Sequence, residues 1–180
     1  MDDLAKKTGL SKKTLYRHFI DKNELVNEVA DYLIDCHLQT FMRCANDSKD
    51  AVEELLMQSD LAFSSLPNVN VPFFFDLQKY YPQVWDKIVT YKNSFLLPCL
   101  EENLQRGMEE ELFRKEIDVA FTAEIRFQHI NALIRQEDFL SHANRPVQLQ
   151  QDLTLFYLQG ITTSKGKNLI NQYLKNKNEK

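Results

Sequence analysis

MDDLAKKTGLSKKTLYRHFIDKNEL, residues 1–25, has the layout of two short helices that cross at a turn and lead into a third. Leu4 and Ala5 lie in the first helix, which Thr8-Gly9 stops. Two helices that cross closely need a small residue at the contact, and Ala5 supplies it. Four positions later, Gly9 offers the positive φ that the turn favours. Ser11 is a natural N-cap for a second helix through His18, because its hydroxyl can accept an orphan backbone N–H. Leu4, Leu10, Leu15 and Phe19 fall where apolar side chains would tie both helices to another. Asp21 with Glu24 reads as a capping box for the third helix, and Ile20 with Leu25 sits at staple spacing. This is a helix-turn-helix pattern. Its second helix offers Lys12, Lys13 and Thr14 at the end that enters a DNA major groove, where free N–H groups also favour phosphate.

Charge points to the same end. The 180-residue chain carries a formal charge of -4. Residues 6–22 hold Lys6, Lys7, Lys12, Lys13, Arg17 and Lys22 against Asp21 alone, a local +5 that leaves -9 for the remainder. A basic end on an acidic body suggests that one end meets a polyanion. A solvated charged face has the same composition, so the charge acquires meaning only from the motif around it.

Beyond residue 25 the apolar spacing stays helical, and the expected fold class is all-α. Leu25, Val26, Val29, Ala30, Leu33, Ile34, His37, Leu38 and Phe41 form one stripe on a long third helix, Lys22 to Ala45, ended by Asn46-Asp47-Ser48. Asp50 with Glu53 opens the next, with Val52, Leu55, Leu56, Ala62 and Phe63 inward. Leu66 to Pro72 reads as a loop. An aromatic helix over Phe73 to Tyr80 precedes a long one that opens at Pro82 and reaches Gly107, which reads as its cap. Pro98 should kink that helix or break it in two. Glu109 to Arg114 is a connection, followed by helices over Asp118 to Arg135, Pro146 to Gly160 and Lys165 to Lys175. The 4 glycines and 5 prolines are too few for the turns of an all-β fold. No run of eighteen apolar residues predicts a membrane span. The N-terminus lacks the pattern of a secretory signal. Cys36, Cys44 and Cys99 form neither a disulfide framework nor a zinc spacing, and reduced thiols in a cytoplasmic protein are expected.

Gly9-Leu-Ser-Lys-Lys-Thr-Leu-Tyr-Arg-His-Phe19, followed after Ile20-Asp21 by Lys22-Asn-Glu-Leu25, resembles the DNA-binding signature of the tetracycline-repressor (TetR) family. The close match covers Leu4 to Leu25. Gly107 to Arg114 resembles the family's connection before its dimerisation helices, and Phe156 to Gly166 its last helix and glycine-bearing turn. The resemblance implies a helix-turn-helix region over 1–24 joined to a helical ligand-binding and dimerisation domain over 25–180. It places Ser11, Lys12, Lys13 and Thr14 at the start of the recognition helix. Lys12, Lys13 and Thr14 are candidates for base edges, Lys being able to reach guanine O6 and N7. Tyr16, His18 and Lys22 match positions that contact phosphate, and Arg17 suits either role. The family has one more helix ahead of these two. The chain starts in the family's second helix, so the module is partial as it stands, and upstream residues completing it are expected.

The body is read less sharply. Aromatic residues crowd its middle, and a cavity for a small apolar or aromatic molecule is one reading; ordinary core packing is the other. The family resemblance favours the cavity, with Phe63, Phe74, Tyr81, Trp85, Tyr91, Phe95, Phe127 and His129 as candidates and Asn103 or Gln128 as further polar groups. Resemblance also places a homodimer interface on the helices from Asp118 and from Pro146, with Phe121, Leu149, Leu153, Phe156 and Tyr157 as candidates. The four histidines have no metal spacing and no catalytic constellation stands out, so neither an enzyme, a metal site nor a cofactor is expected. The expected partners are an operator duplex, a small effector and a second copy of the chain. The expected function is a dimeric, palindrome-binding repressor released by its effector. The competing reading is a helical small-molecule-binding dimer that has lost DNA binding.

Overall fold

A computed structural model of the chain describes residues 1–61, 71–135 and 146–178. The predicted inward positions Ala62 and Phe63, and the predicted loop over 66–70, lie outside these residues. The described elements are α1 (Asp2–Thr8), α2 (Lys12–His18), α3 (Lys22–Asp47), α4 (Ala51–Leu61), α5 (Val71–Tyr80), α6 (Pro82–Tyr91), α7 (Leu97–Glu109), α8 (Val119–Arg135), α9 (Pro146–Ile161) and α10 (Ser164–Asn178). The all-α class is what the apolar spacing implies. Among the described residues no helix is long and apolar enough to cross a membrane.

Local signals set most boundaries. Gly9 takes φ 69° at the end of α1, as the turn requires. The Ser11 hydroxyl accepts the Thr14 N–H at 3.0 Å and caps α2. Asp21 accepts the Glu24 N–H at 2.9 Å and caps α3, while the Glu24 carboxylate reaches back one residue past the cap to the Ile20 N–H. The staple expected beside it is absent: Ile20 is 84% exposed and does not pack on Leu25. Helix α5 begins at Val71, two residues before the predicted start.

The predicted break near Pro98 takes a specific form. Residues Lys92–Leu96 wind as a π-helical turn between α6 and α7, and the Leu97 N–H reaches the Lys92 carbonyl. Pro98 has no N–H for the carbonyl four residues back, and the wider turn absorbs the lost register. Gly107 does not cap its helix, because α7 continues to Glu109. The residue with positive φ is Glu111, at 59°. Gly107 instead makes room for Phe113, which is fully buried.

Two apolar clusters result. The larger centres on Phe41, Leu55, Leu100, Leu104, Phe113 and Leu158 and joins α3, α4 and α7 to α9. The smaller centres on Ala30, Leu77, Val84 and Ile88, with Val26, Ile34 and Trp85 beside it, and binds the first half of α3 to α5 and α6. The far end of α3 is clamped by Arg106, which donates to the Ser48 carbonyl and hydroxyl (3.2 and 2.9 Å), to Glu54 (3.2 Å) and to Glu110 (2.8 Å). An antiparallel bridge, Phe113 to Thr162, ties the α7–α8 connection to the α9–α10 turn.

Candidate nucleic-acid interface and buried cavity

Helices α1 and α2 form one end of the molecule. Leu15 is their buried anchor, with Leu4 and Phe19 partly buried. Leu10 is 46% exposed, so it ties the helices together less than its spacing suggested. Lys12, Lys13, Tyr16, Arg17 and His18 are all exposed along α2. Lys12 pairs with Asp2 across the turn, an exposed contact that a phosphate can displace. Thr14 is partly buried and its hydroxyl lies 2.8 Å from that of Ser11, so both serve the cap. Lys22 opens α3 and lies 5.7 Å from the centroid of the Tyr81 ring, whose phenol raises the lysine pKa. Lys87 of α6 bonds Asp31 at 2.7 Å and Asn27 at 3.3 Å, gripping α3 one to two turns further on. The helix-turn-helix end is thus fastened to the body through α3.

Behind this junction lies a small cavity of about 70 Å3, bordered by α3, α5, α6 and α8, with Leu33, Ile34, Phe74, Ile88 and Ile130 among its walls. Three polar side chains line it, those of His37, Tyr91 and Lys92. His37 Nδ1 and the Tyr91 hydroxyl are 2.7 Å apart. Burial, and secondly the Lys92 ammonium, pull His37 down to about 4 from its ordinary 6.5, and burial pushes the Tyr91 phenol up. The Lys92 ammonium donates to Asn131 at 2.9 Å and faces the Trp85 ring. A larger depression of about 610 Å3 lies between α4, α9 and α10 and is crossed by the Lys177–Asp60 pair.

The predicted cavity residues divide. Phe74 and Tyr91 line it. Trp85 packs beside it through Lys92. Tyr81 belongs to the junction with Lys22. Phe95 stacks on Tyr91, 5.5 Å between centroids, but faces the cleft between α3 and α7. Phe127 is buried in the larger core, and His129 lies partly buried outside the cavity wall. Phe63 lies outside the described residues. Asn103 is structural, donating to the Ala51 carbonyl at 3.2 Å, and Gln128 is exposed. His37 and Lys92 were missed. Their signal was a polar side chain at core spacing: His37 sits on the apolar stripe of α3, and Lys92 one turn after Ile88.

Elsewhere on the surface, Phe121 and Ile125 of α8 and Phe156 of α9 are 65%, 37% and 73% exposed. Leu149 and Leu153 are partly buried on α9. Tyr157 turns inward and is 6% exposed, under the Arg126 guanidinium, so it belongs to the core of the protomer and not to this face. Among the described residues no three His, Cys, Asp or Glu side chains converge as a metal site would require.

Helix-turn-helix on an all-helical body is therefore the class of protein. More particularly, residues 1–29 match the family model described as bacterial regulatory proteins, tetR family. Three solved structures share the fold. The ketosteroid transcriptional regulator KstR2 of Mycobacterium tuberculosis is 21% identical, with a TM-score of 0.64 over 90% of this chain and 84% of that one. The TetR family transcriptional regulator PfmR from Thermus thermophilus is 22% identical, with a TM-score of 0.65 over 87% and 86%. A transcriptional regulator from Cytophaga hutchinsonii is 18% identical, with a TM-score of 0.65 over 91% and 88%. No curated protein matches the sequence.

Proposed function

We propose that the chain is a cytoplasmic, non-enzymatic transcriptional repressor that binds a palindromic operator as a homodimer and is released by a small apolar or aromatic effector. One observation carries the reading: the tetR-family segment folds as a Ser11-capped helix with Lys12, Lys13, Tyr16, Arg17 and His18 exposed along it. Lys12 and Lys13 address base edges. Thr14, held by the cap, approaches them only at the tip of the helix. Tyr16, Arg17, His18 and Lys22 hold phosphates, and Ser11 sets the helix end. Phosphate contacts fix register, and base contacts choose sequence.

A single recognition helix reads few base pairs, so two copies are needed, with half-sites about 34–36 Å or a multiple apart. The exposed Phe121, Ile125 and Phe156 support a partner on α8 and α9, with Leu149 and Leu153 at its edge. The junction at Lys22–Tyr81 and the cavity wall on α3 support the coupling. Drug-sized ligands occupy about 300–1,000 Å3. Entry of an effector of that size into a cavity of about 70 Å3 must push α3 away from α5 and α6. Because Arg106 clamps the far end of α3, the displacement is carried to the DNA-reading end. Driving the population from 1:99 to 99:1 needs a preference of about 5.5 kcal/mol.

Selection from a randomised duplex pool, followed by anisotropy titration at 50 and 200 mM salt, tests the reading. A palindrome should be enriched, and six to ten phosphate contacts would weaken binding by about 10³–10⁵ across that range. Failure to enrich any sequence would favour a ligand-binding dimer that has lost DNA binding, a reading to which the absence of any buried residue on α1 lends weight.

A further inference from the structure

A buried guanidinium sits in the seam between α8 and α9 with most of its donors unused. Arg126 is 2% exposed. Its Nη2 donates to the Thr154 hydroxyl at 2.7 Å, and that hydroxyl donates onward to the Gln150 carbonyl at 2.8 Å. The Tyr157 ring lies beneath it, with its centroid 5.4 Å from the guanidinium carbon. Among the described residues Nε and Nη1 have no acceptor. Two more buried polar atoms in the same seam are unsatisfied, His129 Nδ1 one turn along α8 and the Gln150 side-chain oxygen on α9. Burial pulls the guanidinium pKa down to about 10, still well above neutrality, so the charge persists. A charged group in this position is strongly destabilising unless something completes its hydrogen bonds.

The position within the fold indicates what that something is. Arg126 lies four residues before Ile130, on the same side of α8 and about 6 Å along the axis, and Ile130 is part of the cavity wall. An apolar space and an unsatisfied planar cation one helical turn apart match a molecule with an apolar part and an oxyanion head. A guanidinium holds carboxylate and phosphate by paired N–H donors.

We propose that Arg126 anchors an oxyanion, the carboxylate or phosphate head of an amphiphilic effector whose apolar part enters the cavity. Thr154 and Tyr157 hold the guanidinium in place as positioning residues. This rests on the reading of the cavity as the effector site.

The test compares thermal midpoints of the full chain, at fixed ionic strength, with octanoate, its neutral counterpart octanamide, and inorganic phosphate. At a hundredfold excess over its dissociation constant, octanoate should raise the midpoint by roughly 5–10 °C. Octanamide should do far less. R126M should keep or raise the unliganded midpoint, because a buried cation is removed, and should abolish the octanoate shift. If R126M fails to fold, R126K replaces it: the charge stays but the planar fork is lost, and affinity should fall at least tenfold. Stabilisation by phosphate equal to that by octanoate, and lost in R126M, keeps the anchor and names the free anion as its source. Equal shifts with octanoate and octanamide, or an octanoate shift that survives R126M, overturn the anchor and leave the cavity reading standing. Octanoate binding through Arg126 that leaves operator affinity unchanged keeps the anchor and sinks the effector reading instead.

Discussion

Replacing Gly107 by alanine probes the turn that orients α8. A Cβ at this position would lie 2.1, 2.3 and 2.6 Å from Cδ2, Cε2 and Cγ of Phe113. Ordinary carbon contacts lie at about 3.5–4.0 Å, so the ring must retreat by about 1.5 Å. It has no open side, because Phe113 is completely buried. Its backbone is held as well: the N–H groups of Leu112 and Phe113 both reach the Gly107 carbonyl, at 2.8 and 2.9 Å. Overpacking that the core absorbs costs about 1–3 kcal/mol. Expelling the ring approaches the roughly 3–5 kcal/mol of a Phe→Ala truncation. Alanine recovers about 1 kcal/mol of helix propensity. The net expectation for G107A is a loss of about 2–4 kcal/mol, or roughly 5–15 °C in the thermal midpoint. Urea unfolding followed by far-ultraviolet circular dichroism should show a lower midpoint at unchanged slope. On an F113A background the same change should be neutral or slightly stabilising, a strong non-additivity. A G107A protein as stable as the parent would refute the argument, since the ring would then yield freely.

Other expectations follow from the two ends of α3 and from the outer face. S11A removes the acceptor for the Thr14 N–H and should cost about 1 kcal/mol, read as faster amide exchange along α2. R17A/K22A should reduce the salt slope of operator binding by about 0.9 for each phosphate no longer neutralised; an unchanged slope and affinity would remove these two side chains from the interface. His37 stays neutral in the folded chain down to about pH 4. Above pH 6.5 neither state binds the proton. Below it the unfolded chain does and the folded one does not, so stability falls from pH 6.5 to about 4 and then levels. About 2.5 pKa units correspond to roughly 3 kcal/mol. Urea midpoints of H37L should show that acid limb reduced, and an identical limb would place the titration elsewhere. F121E/F156E should convert a dimer to a monomer in sedimentation, and a persistent dimer would move the interface off this face.

Residues 1–25 were legible because each signal there is local. A cap needs a hydroxyl three residues before an N–H, a turn needs a glycine at positive φ, and a recognition helix needs basic residues at its exposed start. Ser11, Gly9 and Lys12–Lys13 meet these needs through near neighbours, so their spacing alone predicts them. The cavity was legible only in part. Aromatic residues at helical spacing can face any of several neighbours, and which one is a property of the packing. Phe74 and Tyr91 reached the cavity, whereas Tyr81, Phe95 and Phe127 went to a junction, a cleft and a core.

By itself the sequence determined the helical class, the positions of most helices and the helix-turn-helix end, because these follow from periodicity, capping and charge within a few residues. Only the tertiary structure decided that Gly107 yields space to Phe113 instead of ending a helix, and that Pro98 is absorbed by a π-helical turn. It alone placed His37 against Tyr91, 54 positions away in the chain, and Arg126 against Thr154. Those pairings depend on which faces of distant helices meet, and no local pattern encodes that choice.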